Sequence, residues 1–319
     1  MSASPCTYLR ISLTDRCDFN CFYCAPSSRP RLLDERAILT REEIVFLSAA
    51  FCRHGIRHIR LTGGEPLLRE DISLLLDELK GLGMLERLSV TTNGGKLAPC
   101  VAELVGRGLS HINISLDSLQ PRRFAKITGR AVLSRVKKGI IEAVRCCPGR
   151  VKLNVLLIRG FNDDEIVDFV AWGLRHGLVV RFIEYFPTSR RSRIFHDHFI
   201  PTAVVRKTIE EHFGVLQDVG RDPLGGPADY VRLEGAPTRI GFISSVTGSL
   251  CGTCNRLRLS ADGKLYPCLH SDYHIDLAGP LRAGRTADID ALIAEAARRK
   301  KDLNKFVCAR DFDMSAIGG

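Results

Sequence analysis

TYLRISLTDRCDFNCFYC, residues 7–24, runs a strand directly into three cysteines. Leu9, Ile11 and Leu13 alternate with Arg10, Ser12 and Thr14, the period-two pattern of a strand with one apolar and one polar face. The alternation recurs downstream. His111, Asn113, Ser115 and Asp117 interleave with Ile112, Ile114 and Leu116, and Arg60 and Thr62, Ser89, Thr91 and Asn93, and Lys152 and Asn154 repeat it. Strand candidates at 7–13, 58–62, 87–92, 111–116, 151–158 and 179–185 are separated by helical candidates at 41–53, 71–82, 96–107, 132–146 and 163–176. Such alternation implies a parallel sheet with right-handed crossovers. Central parallel strands covered on both faces read as continuous apolar runs, which these do not. The expected fold is an α/β, incomplete (βα)6 TIM-like barrel, two units short of the eightfold form. Its lumen would hold a polar ligand, and Arg10, Arg60 and Lys152 on the inward parity make that ligand anionic.

Beyond residue 215 the texture changes. GRDPLGGPADY (220–230) is rich in turn-formers and reads as a loop. Short strand candidates follow at 230–233, 239–243, 256–260 and 264–266, with Ala261-Asp262-Gly263 as a hairpin turn and a late helix over 287–301. The expected division is 1–218 for the partial barrel and 219–319 for a smaller C-terminal domain.

The bulk composition, 45% hydrophobic and 26% charged, is that of a soluble globular protein. The N-terminus has no apolar h-region, and no run of about 18 apolar residues occurs. A cytoplasmic protein is expected, with no membrane partner. A net charge of +10 is concentrated partly in SRRSR (189–193) and RRKK (298–301). Both runs read as solvated surface, and without interleaved aromatics they make no base-stacking platform for nucleic acid.

Twelve cysteines without a secretory signal argue against a disulfide framework. Cys17, Cys21 and Cys24 form one group and Cys251, Cys254 and Cys268 another, whereas Cys6, Cys52, Cys100, Cys146, Cys147 and Cys308 have the scatter of small buried hydrophobes. Thiolates select zinc, Cu(I) or iron–sulfur clusters. Zinc sites usually pair C-x2-C knuckles to make four protein ligands. The first group is C-x3-C-x2-C, directly after a strand at the carboxyl end of the sheet, where parallel α/β folds place their active sites. Three cysteines can hold three irons of a 4Fe–4S cluster and leave the fourth iron open.

CDFNCFYC resembles the signature of the radical S-adenosylmethionine (SAM) superfamily, and Leu61-Thr-Gly-Gly-Glu-Pro66 resembles its GGEP strand end. Cys251-x2-Cys254-x13-Cys268, with Arg256-x-Arg258 just inside, resembles the GTP 3′,8-cyclase family. The likeness runs from about residue 7 to Gly319 and includes ISLTDRC (11–17), TTNG (91–94), ISLDS (114–118) and the terminal Gly318-Gly319. It implies two 4Fe–4S clusters, one on Cys17, Cys21 and Cys24 and one on Cys251, Cys254 and Cys268. It places SAM contacts on Tyr23, Gly64, Ser115 and Phe186, and GTP contacts on Arg10, Arg60, Thr91, Lys152, Arg256 and Arg258. Gly318 and Gly319 would enter the barrel and complete the GTP site. The implied reaction is radical cyclisation of GTP to 3′,8-cyclo-7,8-dihydro-GTP, the first step of molybdenum cofactor biosynthesis. The implied partners are a flavodoxin- or ferredoxin-like electron donor and cyclic pyranopterin monophosphate synthase, which takes the product; the assembly would be a monomer or homodimer. Two departures stand out: Ala25-Pro26 where the family has methionine-proline, and Phe186 where it has methionine. The competing readings are another radical SAM enzyme, such as a peptide modifier or a divergent paralogue, and a zinc-bearing basic nucleic-acid binder.

Overall fold

Strand β1 (Tyr8–Ser12) lies between β2 (His58–Thr62) and a strand from the far end of the chain. The computed structural model describes residues 6–24, 32–186, 197–248, 252 and 254–302. In it β1, β2, β3 (Arg87–Thr92), β4 (His111–Ser115), β5 (Val151–Leu157) and β6 (Val179–Glu184) are parallel and stand side by side in chain order. Between them run α1 (Arg41–Arg53), α2 (Ile72–Gly81), α3 (Val101–Gly106), α4 (Pro121–Thr128), α5 (Leu133–Cys146) and α6 (Ile166–His176). Local chemistry sets the helix ends. At α1 the Thr40 hydroxyl accepts from Glu43 N at 3.2 Å while the Glu43 carboxylate accepts from Thr40 N at 2.9 Å, a reciprocal cap. Helix α6 stops on Gly177, at φ 65°, a left-handed turn that glycine adopts without strain.

The apolar parity of the strands is where the helices pack. Leu9, Ile11, Ile59, Leu61, Ile112, Ile114, Leu153 and Val155 are fully buried in one continuous core. The helix expected over 96–107 is regular only over α3, because the residues after Gly94-Gly95 run as successive turns. Three α-helices outside the expected set appear among the described residues: α4, α7 (Thr202–Phe213) and a short one at Ala278–Arg282.

The C-terminal strands join this same sheet. Strand β9 (Ile240–Ile243) pairs parallel with β6, and β10 (Arg256–Leu259) pairs parallel with β1. Strands β8 (Asp229–Leu233) and β7 (Leu216–Gly220) continue antiparallel beyond β9, and β11 (Lys264–Tyr266) and β12 (Ile275–Asp276) beyond β10. Among the described residues the twelve-stranded sheet keeps two ends and does not close into a ring. It nevertheless curls. Phe186, after β6, meets His270, after β11, with ring centroids 4.8 Å apart, so the two flanks approach across the polar face. The 221–228 loop covers the opposite end: the His58 ring nitrogen bonds Leu224 O at 2.6 Å, and Arg87 and Lys152 both reach Asp222. Two helices, α8 (Ala278–Arg282) and α9 (Asp288–Asp302), finish the described chain.

Candidate functional site

Just past β1 the chain enters the cysteine loop, which is docked on the end of β2. Gly64 N donates to Thr14 O at 2.7 Å and Glu65 N to Arg16 O at 2.8 Å. Gly63 has φ 142°, and a Cβ on Gly64 would lie 2.2 Å from Arg16 O. The space that these glycines leave is therefore filled by the backbone of 14–16, which anchors the cysteines, and not simply held open for a ligand. Glu65 is fully buried; its carboxylate accepts from Thr92 Oγ1 and Asn93 N, both at 2.7 Å, and from Leu67 N at 3.1 Å. Burial pushes its carboxyl up to about 7 against those three donors. Asn93 in turn donates to Asp18 Oδ1 at 2.8 Å, with its Nδ2 3.9 Å from Cys17 Sγ. Thus GGEP and TTNG form one hydrogen-bonded brace behind the cysteines.

The far side of the loop is held by the last turn of α4 and by the segment after β4. Asn20 N and Phe22 N donate to Thr128 O and Ile127 O, and Tyr23 Oη donates to Asp117 Oδ2 at 2.5 Å. Asp117 is buried and its other oxygen accepts from Leu156 N at 2.8 Å. Cys21 is pushed well above the usual thiol range, by burial first and then by the negative charges of Asp117, Cys24 and Cys17. Ser115, at the end of β4, pairs in register with Asn154.

On the polar face, Arg258, Arg10 and Arg60 are register partners on β10, β1 and β2, three cations abreast at a strand spacing of about 4.8 Å. Arg60 and Arg258 are buried. Burial brings Arg10 and Arg60 down to about 9 and Arg258 to about 10; for Arg10 the next cause is the charge of Arg258. Like charges side by side in low dielectric are unfavourable until an anion joins them. Arg60 is steered by a hydrogen bond from its Nε to Ser89 Oγ at 3.1 Å and lies 5.2 Å over the Tyr8 ring, which stacks on His58 at 4.1 Å. Four buried polar atoms on this face lack a partner among the described residues: Tyr8 Oη, Thr91 Oγ1, Asn154 Oδ1 and Arg181 Nε. Buried orphans of this kind call for a polar ligand.

Arg181 is a residue that the sequence reading passed over. It is fully buried, and its Nη2 donates to Asn113 Oδ1 at 2.6 Å. The period-two pattern of VVRFIE (179–184) carried the signal. Lys152 is inward, as parity requires, but it is held at the floor, 3.3 Å from Asp222 Oδ2 and 3.2 Å from Tyr230 Oη. Asp222 also accepts from Arg87 at 2.7 and 3.2 Å. Burial would raise its carboxyl, yet the bonds and charges of Arg87 and Lys152 hold it well below the usual carboxylate range.

Cys254, of the second cysteine group, lies beside the start of β1, where Tyr8 N donates to the neighbouring Asn255 O at 3.3 Å. Cys251 lies outside the described residues, as do Ala25, Pro26, the SRRSR run, Gly318 and Gly319. Cys254 contrasts with Cys21. Burial alone would raise its thiol, but the charges of Arg256 and Lys300 prevail and bring it down to about 6. Lys300 belongs to the RRKK run read as solvated surface. That reading fails here: Lys300 is buried, with its Nζ 3.3 Å from Cys254 Sγ. Cys6, one of the scattered cysteines, is close enough to sense the charges of Lys300 and Cys254.

Two family models divide the chain: Radical SAM superfamily matches residues 11–173 and Molybdenum Cofactor Synthesis C matches residues 178–306. The GTP 3′,8-cyclase of Heliobacterium modesticaldum is 40% identical over 317 residues, covering 98% of this chain and 97% of that one. The GTP 3′,8-cyclase of Peptoclostridium acidaminophilum is 42% identical, covering 92% and 89%. This chain belongs to the GTP 3′,8-cyclase family. Among solved structures, Streptococcus suis SuiB bound to S-adenosylmethionine shares the fold, with a TM-score of 0.60 at 13% identity over 88% of this chain and 66% of that one. GTP 3′,8-cyclases are radical SAM enzymes that carry iron–sulfur clusters, and the donor set here fits such a group. An all-sulfur trio suits iron–sulfur chemistry. The protein alone keeps Cys21 protonated, so ionisation awaits a cationic metal centre. Among the described residues no three His, Cys, Asp or Glu side chains converge as one bound ion would require. A cluster gives each cysteine a different iron and so asks for a wider triangle.

Proposed function

We propose that this chain converts GTP to 3′,8-cyclo-7,8-dihydro-GTP in the first step of molybdenum cofactor biosynthesis. The observation that carries the reading is the row Arg258–Arg10–Arg60 on the polar face, with Arg60 and Arg258 buried. A triphosphate is complementary in charge to this row, and guanidinium forks match phosphate oxygens. Thr91, with its buried hydroxyl, and Arg256 extend the row as GTP contacts. Arg181 and the orphaned Tyr8 and Asn154 groups line the same face, while Lys152 acts from the floor through its pair with Asp222.

Cys17, Cys21 and Cys24 would hold the first 4Fe–4S cluster, and Cys251, Cys254 and Cys268 the second. Tyr23, Gly64, Ser115 and Phe186 would hold SAM against the first. When bound, these cofactors would supply the one-electron, radical chemistry that the cyclisation of GTP requires. The protein's own task is placement and exclusion. The Glu65–Asn93 brace and the Tyr23–Asp117 bond fix the cysteine loop, and the arginine row sets the depth of the triphosphate. The loop at 221–228 covers the lower end of the face. Gly318 and Gly319 are read as completing the GTP site. In this reading 1–218 supplies the first centre and 219–319 the second, in a cytoplasmic monomer or homodimer. A flavodoxin- or ferredoxin-like donor serves it, and cyclic pyranopterin monophosphate synthase takes the product. No described helix is long and apolar enough to cross a membrane.

The test is anaerobic incubation with SAM, GTP and dithionite, followed by mass analysis of the nucleotide. A cyclised dihydro-GTP product is expected; 5′-deoxyadenosine formed beside unchanged GTP would overturn the substrate assignment.

A further inference from the structure

Helix α9 turns one face inward, marked by the buried Ile289, Ile293 and Ala296. Lys300, four residues after Ala296, continues that face and is also buried, at 6% exposure. An apolar residue would dock the helix there at less cost, because a buried ammonium must recover its hydration through hydrogen bonds. Lys300 does so with three acceptors that match its three N–H groups: Cys254 Sγ at 3.3 Å, Arg256 O at 2.8 Å and Pro267 O at 2.8 Å. The two carbonyls belong to the segments that carry Cys254 and Cys268. They hold the ammonium against the sulfur and tie both ligand segments to α9.

We infer that Lys300 is a positioning residue for the second cluster, raising its reduction potential through the charged hydrogen bond to the Cys254 sulfur. The inference rests on the reading that Cys251, Cys254 and Cys268 hold a 4Fe–4S cluster. Reduction adds one electron and hence one negative charge. A fixed cation bonded to a ligand sulfur therefore stabilises the reduced form more than the oxidised one, and hydrogen bonds to sulfur are among the levers that set cluster potentials. Arg256 lies on the same side, and its charge also acts on Cys254, but Lys300 is the cation that also grips the Cys268 segment. It acts through Cys254.

The experiment is potentiometry of the anaerobically reconstituted full chain, followed by electron paramagnetic resonance, with iron counted on the same samples. The second cluster is identified as the wave lost in Cys268→Ala. Lys300→Met, which keeps the length and the helix, should lower that wave by about 59 mV or more, a tenfold fall in the one-electron reduction constant. The first wave should not move, and iron should stay near about eight per chain. Lys300→Arg should restore at least half of the shift, and Lys300→Gln replaces Lys300→Met if the latter loses iron. An unmoved second wave in the neutral variants would overturn the inference, as would an equal shift in Lys300→Arg, which would make Lys300 a strut whose charge is irrelevant. Only about four irons in the wild-type chain would instead sink the two-cluster reading beneath it.

Discussion

Replacing Arg258 by methionine should make the ligand-free protein more stable and the nucleotide complex weaker. Arg258 stands in register beside Arg10, with Arg60 next in the row, and burial, with Arg256 as the next cause, brings its guanidinium down from the usual arginine range to about 10. At about 1.36 kcal/mol per unit, that depression corresponds to about 3 kcal/mol of penalty on the charged form in the folded state. Methionine keeps much of the aliphatic stem and removes the charge, so about 1–3 kcal/mol should return after some packing is lost. The pH sign follows from linkage. Below about 10 the arginine is protonated whether folded or unfolded, so the full penalty is present and the gain is constant around neutrality. Above about 10 the folded wild type loses the proton first and recovers stability, so the advantage of the variant shrinks. Against GTP the balance reverses. One cation at about 4 Å from a phosphate charge contributes up to about 4 kcal/mol at an effective dielectric of about 20. After desolvation, a loss of affinity well beyond about tenfold remains, since about 1.4 kcal/mol is tenfold. Urea unfolding without nucleotide and calorimetric titration with GTP read the two halves separately. Wild-type GTP affinity, or a ligand-free variant less stable than its parent, would refute the reasoning.

Cys21→Ala should abolish reductive SAM cleavage with or without GTP, whereas Cys268→Ala should retain some cleavage and lose cyclised product; quantifying 5′-deoxyadenosine and nucleotide product in both checks the division. Asp222→Asn leaves Arg87 and Lys152 without their shared carboxylate, and breaking such a buried pair costs about 3–5 kcal/mol. Because the carboxyl of Asp222 is depressed when folded, its contribution is present above about pH 4 and lost as pH falls further. The urea midpoints of variant and parent should therefore differ at neutrality and converge in acid. Tyr23→Phe removes the donor at 2.5 Å from buried Asp117, a loss of about 1–3 kcal/mol; SAM affinity should fall several-fold, with GTP affinity unchanged in equilibrium dialysis.

The strands and their inward parity were legible because period two is a local signal. Arg10 and Arg60 needed only their neighbours Leu9, Ile11 and Leu61 to be placed. What the sequence could not disclose was pairing between distant segments. Nothing in the four residues of β10 announces that they lie beside β1, yet that pairing sets Arg258 next to Arg10. The partner of Lys152 was hidden for the same reason: Asp222 comes from a loop whose composition speaks only of turns. Lys300 was hidden differently. Its charged neighbours drew attention to the run, whereas the spacing from Ile289 through Ile293 and Ala296 showed the buried face. What packs against the glycines of GGEP was not legible in the sequence, and the structure puts the 14–16 backbone there.

The position of β1 inside the sheet has a consequence for how the chain is made. One neighbour, β2, follows within about 50 residues, but the other, β10, ends at Leu259. At a synthesis rate of about 5–20 residues per second, roughly 250 residues take about 12 to 50 s. Throughout that interval the nascent β1 presents an unpaired edge beside three thiols, a template for unwanted strand addition. Yet the brace around Cys17, Cys21 and Cys24 draws on Glu65, Asn93, Asp117, Ile127 and Thr128, all translated early. The pocket of the first cysteine group can thus be shaped while the C-terminal third is still on the ribosome. The second waits for α9, whose Lys300 is among the last described residues to be translated. The order in which the two cysteine sites take shape is in this way written into the strand order.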